Sequence, residues 1–150
     1  MNIRFNVTKG FLSMGIFALC LQANAQKKNI PQSELPGTAK DFITEYFSDQ
    51  KIVQVVKDVD YLVKTEYEIT LGNGFQLEFD GKGDWKDVDG NNTAIPSDFF
   101  SKSITDYILQ NFPGQQITAI EKKSSGYELE LSNGLDIDFN SNGEFVRIDD

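Results

Sequence analysis

Polar and apolar residues alternate along two stretches of the chain, and the two stretches are copies of one pattern. Residues 67–89 read YEITLGNGFQLEFDGKGDWKDVD, and residues 127–149 read YELELSNGLDIDFNSNGEFVRID. At a constant offset of sixty, 8 of these 23 positions are identical. Alternation of period two predicts half-buried strands, and an internal repeat predicts a chain built from two copies of one structural unit.

Each copy is predicted to form a β-hairpin with a three-residue loop. Asn73-Gly74 alone favours a two-residue turn, but that turn would place the apolar residues of the two strands on opposite faces. A loop of residues 72–74 keeps them on one face if Gly74 adopts a left-handed conformation. Residues 132–134 allow the same around Gly134. We therefore expect a positive φ angle at both glycines.

The same register brings carboxylates together on the outer face of each hairpin. The predicted opposed pairs are Glu68 with Glu78, Glu128 with Asp138, and Glu130 with Asp136. Like charges directly opposed on neighbouring strands are destabilising. Two interpretations stay open: a solvated face that resists aggregation, or a site for a basic partner. In the second case, replacing Glu130 and Asp136 with Thr and Gln should stabilise the fold and weaken binding of the partner.

Trp85 and its counterpart Phe145 follow the second turn of each copy. A four-residue loop there would leave both aromatic side chains on the outer face, where they would add to a protein-binding surface. A three-residue loop would bury them instead. The sequence leaves both arrangements open.

A helix is predicted before each set of strands. Residues 39–47 carry apolar side chains at i, i+3, i+4, i+7 and i+8, and the stripe recurs in the second copy. The residues of the two stripes are Ala39, Phe42, Ile43, Tyr46 and Phe47, then Phe100, Ile104, Tyr107, Ile108 and Phe112. With strands at 52–57 and 117–121, each module reads as a helix followed by four antiparallel strands. The predicted fold is α+β: modules 35–90 and 91–150 form one compact domain whose sheets share an outer face.

The N-terminal segment has the pattern of a secretory signal peptide. Arg4 and Lys9 precede an apolar run too short to span a membrane, and residues 23–25 read Ala-Asn-Ala. This segment would direct export to the periplasm or outside the cell and would be removed by cleavage near Ala25. The polar residues 26–34 are then expected to be a flexible leader.

Composition excludes several classes of function. After cleavage, 125 residues (150 − 25) would remain, with no cysteine or histidine and a formal charge of −11 (−9 − 2). Such an acidic chain is not expected to bind nucleic acid or insert in a membrane. Without His or Cys, no Ser-His-Asp triad, thiol nucleophile or Cys/His zinc site can form. We expect no catalysis and no cofactor. A protein with a neutral or basic surface is the expected partner, and a small-molecule ligand stays open.

One string resembles a calcium-binding loop. Asp87, Asp89 and Asn91 have the 1, 3, 5 spacing of an EF-hand, and Asp98 stands at position 12. Position 6 is Asn92 rather than Gly, and Asp87 is predicted to lie on a strand. A cation-responsive structural protein is therefore the alternative function, and a polar linker is the simpler interpretation of the string.

The repeated hairpin resembles that of the PepSY-like, β-lactamase-inhibitor-like family of secreted bacterial proteins. The shared pattern is Y-E-[IL]-x-L-x-N-G, followed by F-[DN]-x-x-G-[DE]-[WF], with an Ile-Pro or Leu-Pro pair before each helix. The resemblance implies tandem modules, each a helical segment on a four-stranded antiparallel sheet. In the β-lactamase inhibitor, the exposed sheet face grips an enzyme. By analogy, we expect an exported, non-catalytic binding module, with enzyme inhibition as one form of that function.

Overall fold

Within residues 27–59 and 64–149, nine antiparallel strands follow one another across a single sheet in the order of the chain. The computed structural model describes residues 27–59 and 64–149, so the predicted signal peptide and its cleavage site lie outside the described residues. The helices are α1 (Gly37–Tyr46) and α2 (Lys102–Asn111), and a 3-10 helix spans Gln32–Glu34. The strands are β1 (Lys28–Asn29), β2 (Ile52–Val59), β3 (Thr65–Leu71), β4 (Gln76–Asp80), β5 (Trp85–Asp89), β6 (Ile117–Lys123), β7 (Gly126–Leu131), β8 (Asp136–Asn140) and β9 (Phe145–Asp149).

The element order confirms an α+β fold in which four strands follow each helix. The first module contains α1 and β2–β5, and the second contains α2 and β6–β9. The two sets of strands form one continuous sheet because β5 pairs with β6. The module boundary near residue 90 stays a prediction.

Residues 27–34 require a correction to the flexible leader predicted from sequence. Lys28 and Asn29 pair with Lys57 and Val56 of β2. The Ile30 amide donates to the carbonyl oxygen of Val55 at 3.0 Å. Only 9% of Ile30 is exposed, so a single apolar side chain in a polar segment anchors the start of the sheet.

Both helices pack on the same face of the sheet. Ile43 of α1 and Ile104 of α2 are buried in one hydrophobic core with the inner side chains of the strands. The two helices start differently: Pro36 precedes α1 without a side-chain cap, whereas the Ser101 side chain caps α2 by accepting from the Ser103 amide.

The hairpin register is confirmed in both copies. The φ angles of Gly74 and Gly134 are 91° and 80°. Within the first copy, Ile69 lies opposite Leu77, and the Leu71 amide donates to the Phe75 carbonyl at 2.9 Å. The apolar residues of each hairpin therefore share the face that the helices cover.

The turn before β5 explains the glycine in the repeated motif. The Asp80 carboxylate accepts from the Lys82 and Asp84 amides, and Gly83 has a φ angle of 88°. A Cβ atom on Gly83 would lie 2.7 Å from Cβ of Pro36 and 2.9 Å from the Ala39 nitrogen. The glycine is required because this turn contacts the start of α1.

Candidate functional site

One row of side chains crosses the outer face of the sheet, the face turned away from the helices, and six consecutive members are carboxylates. Each lies opposite the next on the neighbouring strand, from β3 to β8. These six residues, called the acidic row below, are Glu68, Glu78, Asp87, Glu121, Glu128 and Asp138. Because neighbouring strands are about 4.8 Å apart, the row is about 24 Å long.

The pairing of β5 with β6 makes the row continuous. Asp87 lies opposite Glu121, and the adjacent pair is Val88 with Ile120. Val88 and Ile120 are fully buried on the helix side. Successive side chains of a strand point to opposite faces, so burial of this apolar pair turns both carboxylates outward.

Cations from the chain itself neutralise the two ends of the row. The Lys27 ammonium lies 2.5 Å from a Glu68 carboxylate oxygen. At the other end, Arg147 Nε donates to Asp138 at 2.6 Å.

Lys123 forms an ion pair with Glu128 and lies 3.9 Å from Glu121. The centre of the row is different. Within residues 27–59 and 64–149, neither Glu78 nor Asp87 has a hydrogen bond or an ion pair. The uncompensated charge of the row is therefore concentrated at the junction between the modules.

Asp87 is the most perturbed of these groups. Only 9% of the residue is exposed. Burial, followed by the charges of Glu78, Asp89 and Glu121, raises its pKa from 3.8 to about 7, and Lys86 opposes this increase. Because burial without a partner disfavours the charged form, Asp87 holds a proton far more readily than an exposed aspartate.

The pKa of Glu78 is shifted in the same direction as that of Asp87. Its pKa is raised, first by burial and then by the charge of Glu66. Lys86, whose charge opposes this increase, forms an ion pair with Glu66 at 3.2 Å. Adjacent carboxylates on β4 and β5 therefore both hold a proton more readily than exposed carboxylates do.

A second acidic pair lies on the neighbouring row. Glu130 is opposite Asp136, as predicted. Burial, then the Asp136 charge, raises the pKa of Glu130. At the equivalent place in the first hairpin, the Thr70 hydroxyl donates to the Gln76 amide oxygen at 2.9 Å. The opposed charges of the second hairpin thus replace a neutral hydrogen bond.

Trp85 and Phe145 are not on the outer face, which corrects their assignment to the candidate binding surface. Each second turn has a three-residue loop, and a bulge follows the first strand residue. The bulge lets Trp85 pair with Phe79 while Val88 pairs with Leu77, so both inner positions are apolar. The sequence alternatives assumed a strand without a bulge.

The two aromatic side chains have unequal surroundings. Trp85 stacks between Phe42 and Tyr127, with ring centroids 6.4 and 6.2 Å away. The Lys122 ammonium lies 4.0 Å from the Trp85 ring centroid. Phe145 stacks on Tyr107 at 4.9 Å but is 39% exposed. Trp85 therefore joins the two modules on the helix side.

The EF-hand-like string does not form a ligand set, which corrects the alternative metal assignment. Asp87 is buried within β5, and the Asp89 carboxylate accepts from the Asn91 amide at 2.7 Å. The pKa of Tyr46 in α1 is raised first by a hydrogen bond with Glu45, and the Asp98 charge contributes. Asp98 is thus near α1, on the helix side. In the described part of the chain, no group of three or more acidic residues is arranged to hold a metal ion.

Sequence reasoning did not include Glu121 in the candidate surface and gave Asp87 only a metal-binding role. Alternation with Val88 and Ile120 was a signal that both face outward. The pairing of Asp87 with Glu121 was not visible, because α2 and the connections 90–101 and 112–116 separate the two strands in the sequence.

Comparison with known proteins identifies the family. A family model described as "Putative beta-lactamase-inhibitor-like, PepSY-like" matches residues 21–80 and again residues 65–147. The chain belongs to this family. This confirms the resemblance carried by the repeated hairpin, and two matches on one chain fit a tandem arrangement of PepSY-like modules.

Similar solved structures come from Bacteroides species. A "putative periplasmic protein of unknown function" from Bacteroides vulgatus is 33% identical, with a TM-score of 0.79, and the match covers 83% of this chain and 100% of that one. A "putative calcium-regulated periplasmic protein" from Bacteroides thetaiotaomicron is 32% identical, with a TM-score of 0.79 and coverage of 83% and 97%. No curated protein matches the chain. These descriptions name no catalytic activity.

The helices also bear on membrane contact. Both α1 and α2 are ten residues long. Within the described residues, no helix of this PepSY-like protein has the length and apolar character needed to cross a membrane.

Proposed function

We propose that the chain is an exported, non-catalytic binding module that uses the outer face of its sheet to bind a basic surface of a partner protein. Asp87 is the observation that supports this most directly. It is nine-tenths buried, it has no hydrogen bond or ion pair within the described residues, and acidic side chains lie on both sides. Holding a carboxylate in such a place costs stability. A guanidinium or ammonium group from a partner would offset that cost.

The dimensions of the acidic row define the partner surface. Carboxylates recur about every 4.8 Å across the strands. Lysine or arginine side chains at i and i+4 on an exposed helix are separated by about 5–6 Å. A basic helix lying across the strands is therefore a matched partner, with its central cation between Glu78 and Glu121.

A more specific version of this proposal is that the bound partner is an enzyme and that binding inhibits it. The family description refers to β-lactamase inhibitors, and the analogy assigns the outer sheet face as the contact surface. Assay of a captured enzyme with and without the purified chain tests this form separately from binding.

The experiment compares the wild-type chain with a variant neutralised at the centre of the row. The changes are Glu78→Gln, Asp87→Asn and Glu121→Gln. The probe is a lysine-bearing helical peptide, titrated by calorimetry near pH 6.5 in buffers of different ionisation enthalpy. We expect proton release from the wild type, because a bound cation lowers the pKa of Asp87, and at least a tenfold loss of affinity in the variant.

A matched variant controls for net charge. Glu34→Gln, Asp41→Asn and Glu45→Gln change the charge by the same amount, at exposed positions in the 3-10 helix and α1. This control should bind the peptide, and capture periplasmic proteins, as the wild type does. Equal loss of binding in both variants would mean that only net charge matters, and the proposed surface would be wrong.

Export is part of the proposal. The structural neighbours are described as periplasmic proteins, and the first 25 residues have the pattern of a signal peptide. We expect the mature protein to begin near Gln26.

A cation-responsive structural protein is the second candidate. It is favoured by the uncompensated Glu78 and Asp87 and by the neighbour described as calcium-regulated. Calcium prefers carboxylate oxygens and stabilises a folded state that binds it. Under this candidate, calcium raises the melting temperature of the wild type but not of the variant neutralised at the row centre. Binding of the basic peptide without a calcium effect would favour the first candidate.

A further inference from the structure

Among the described residues, β9 is the last strand of the sheet, and its outer edge carries exposed apolar side chains. Phe145, Val146 and Ile148 of β9 are 39%, 55% and 42% exposed. The repeat makes β9 the counterpart of β5, with Ile148 in the place of Val88, which is fully buried. The difference arises because β6 pairs with β5, whereas β9 is the last strand of the sheet.

The junction between the modules shows what such an edge can hold. Beside β5, Ile120 of β6 lies opposite Val88. Lys122 and Tyr127 of the second module cover the ring of Trp85. The counterparts of these three residues in the first module are Val55, Lys57 and Tyr67, because β2 pairs with β3 as β6 pairs with β7.

The edge of β2 that corresponds to this docking edge is covered by a very short strand. Asn29 lies opposite Val56, as Asp87 lies opposite Glu121, and Ile30 bonds to Val55. Residues 28–30 (Lys-Asn-Ile) therefore occupy the place that Lys-Asp-Val of β5 occupies against β6. Strand β1 therefore lies against β2 in the same register as β5, the last strand of the first module, lies against β6.

We propose that β9 of one copy docks on β2 of a second copy, in the place of the second copy's β1. Ile148 would take the position of Ile30, and Phe145 would meet Lys57 and Tyr67, as Trp85 meets Lys122 and Tyr127. The Lys57 ammonium already lies 5.8 Å from the Tyr67 ring centroid.

Charge also favours this arrangement. Arg147 would take the position of Asn29, next to the acids that Lys27 neutralises in the single chain. Those acids are Glu68 at 2.5 Å and Asp58 at 3.8 Å. The contact joins different surfaces of the two copies, so it can extend end to end, and β1 limits it by occupying the edge.

Cysteine cross-linking tests the register directly. The expected pairing places Arg147 of one copy opposite Val56 of the next, and opposed strand residues are close enough for a disulfide. Within one chain these residues lie seven strand spacings apart, about 34 Å, so they cannot bond internally. We expect the mature chain with Arg147→Cys and Val56→Cys to form disulfide-linked oligomers on mild oxidation. The chain has no cysteine after residue 20.

Two comparisons make the result decisive. A control with Arg147→Cys and Leu109→Cys places the second thiol on α2, where Leu109 is 70% exposed and therefore more accessible than Val56, which is 8% exposed. Ile30→Pro removes the amide that bonds to Val55 and should increase cross-linking of the 56/147 pair by about tenfold, because β1 leaves the edge more readily. Adding Ile148→Lys should abolish that gain. Cross-linking no greater than in the Leu109 control, or unaffected by Ile148→Lys, would overturn the proposal.

This association is independent of the proposed function. The variant neutralised at Glu78, Asp87 and Glu121 retains both strand edges, so it should cross-link like the wild-type background. Loss of peptide binding and loss of cross-linking are therefore separate outcomes.

Discussion

Asp87 and Arg147 occupy equivalent positions in the two copies of the repeat, but their surroundings differ. Asp87 is buried at the module junction between Glu78 and Glu121. Arg147 lies at the open edge and forms an ion pair with Asp138. The residue that follows each of them, Val88 or Ile148, faces the helix side and pairs with an aliphatic residue in both copies. The helix side of the repeat has thus been kept for packing, while the outer side carries charge that is balanced in one module and unbalanced at the junction.

The largest expected effect is a pH-dependent gain in stability from Asp87→Asn. Folding raises the pKa of Asp87 from 3.8 to about 7. The folded state therefore binds more protons than the unfolded state between these values. The stability contributed by this group is complete below about pH 4 and is lost as pH rises to 7. The asparagine variant should match the wild type near pH 4 and exceed it by up to roughly 4 kcal/mol at pH 8.

Urea unfolding across this pH range checks the comparison. Asp138→Asn serves as the matched change in the same row, because it removes an exposed ion pair with Arg147. It should lower the free energy of unfolding by at most about 1 kcal/mol. A stability difference between Asp87→Asn and wild type that does not change with pH would contradict the prediction. The charged neighbours that act on the pKa of Asp87 are Glu78, Asp89, Glu121 and Lys86.

A second difference between the modules concerns Gly83 and Gly143. Both have positive φ angles and contact the start of a helix. A Cβ atom at Gly83 would approach backbone, the Ala39 nitrogen at 2.9 Å, whereas at Gly143 the nearest atoms are hydroxyl oxygens of Ser103 and Ser101. The Ser103 hydroxyl can rotate away if it gives up its hydrogen bond to the Gly143 carbonyl, whereas backbone cannot move aside in this way.

Alanine substitution measures this difference. Each change costs about 1–2 kcal/mol for the left-handed conformation, and Gly83→Ala adds about 1–3 kcal/mol from the steric conflict. We expect Gly83→Ala to be the more destabilising by roughly 2 kcal/mol in thermal or urea unfolding. Equal effects would show that the first module relaxes as easily as the second.

Much of the fold could be predicted because local signals agree along the repeat. Alternation, the Asn-Gly loops and the helical stripes fixed the strands, the hairpin register and the helix face. The acidic pairs Glu128–Asp138 and Glu130–Asp136 followed from that register and are confirmed.

What could not be predicted depended on contacts distant in the sequence. The bulge that turns Trp85 inward follows from the need to bury Val88 and Trp85 on the same face, which simple alternation does not describe. The isolated position of Asp87 arises from the pairing of β5 with β6, and the anchoring of Ile30 arises from β2. Each is a tertiary effect on a residue whose local sequence favours another environment.

The smallest expected effect is an exchange of the neutral and acidic pairs between hairpins. Glu130→Thr with Asp136→Gln would introduce into the second hairpin the hydrogen bond that joins Thr70 to Gln76 at 2.9 Å. Removing opposed like charges should raise the free energy of unfolding by about 0.5–1 kcal/mol. The reverse exchange, Thr70→Glu with Gln76→Asp, should lower it by a similar amount.

If the acidic pair contributes to partner binding, the first exchange also weakens binding of the basic peptide, although less than neutralisation of Asp87 and its two neighbours. A stability gain without any change in binding would confine the binding surface to the acidic row, and no gain in either direction would show that solvent already screens the Glu130–Asp136 repulsion.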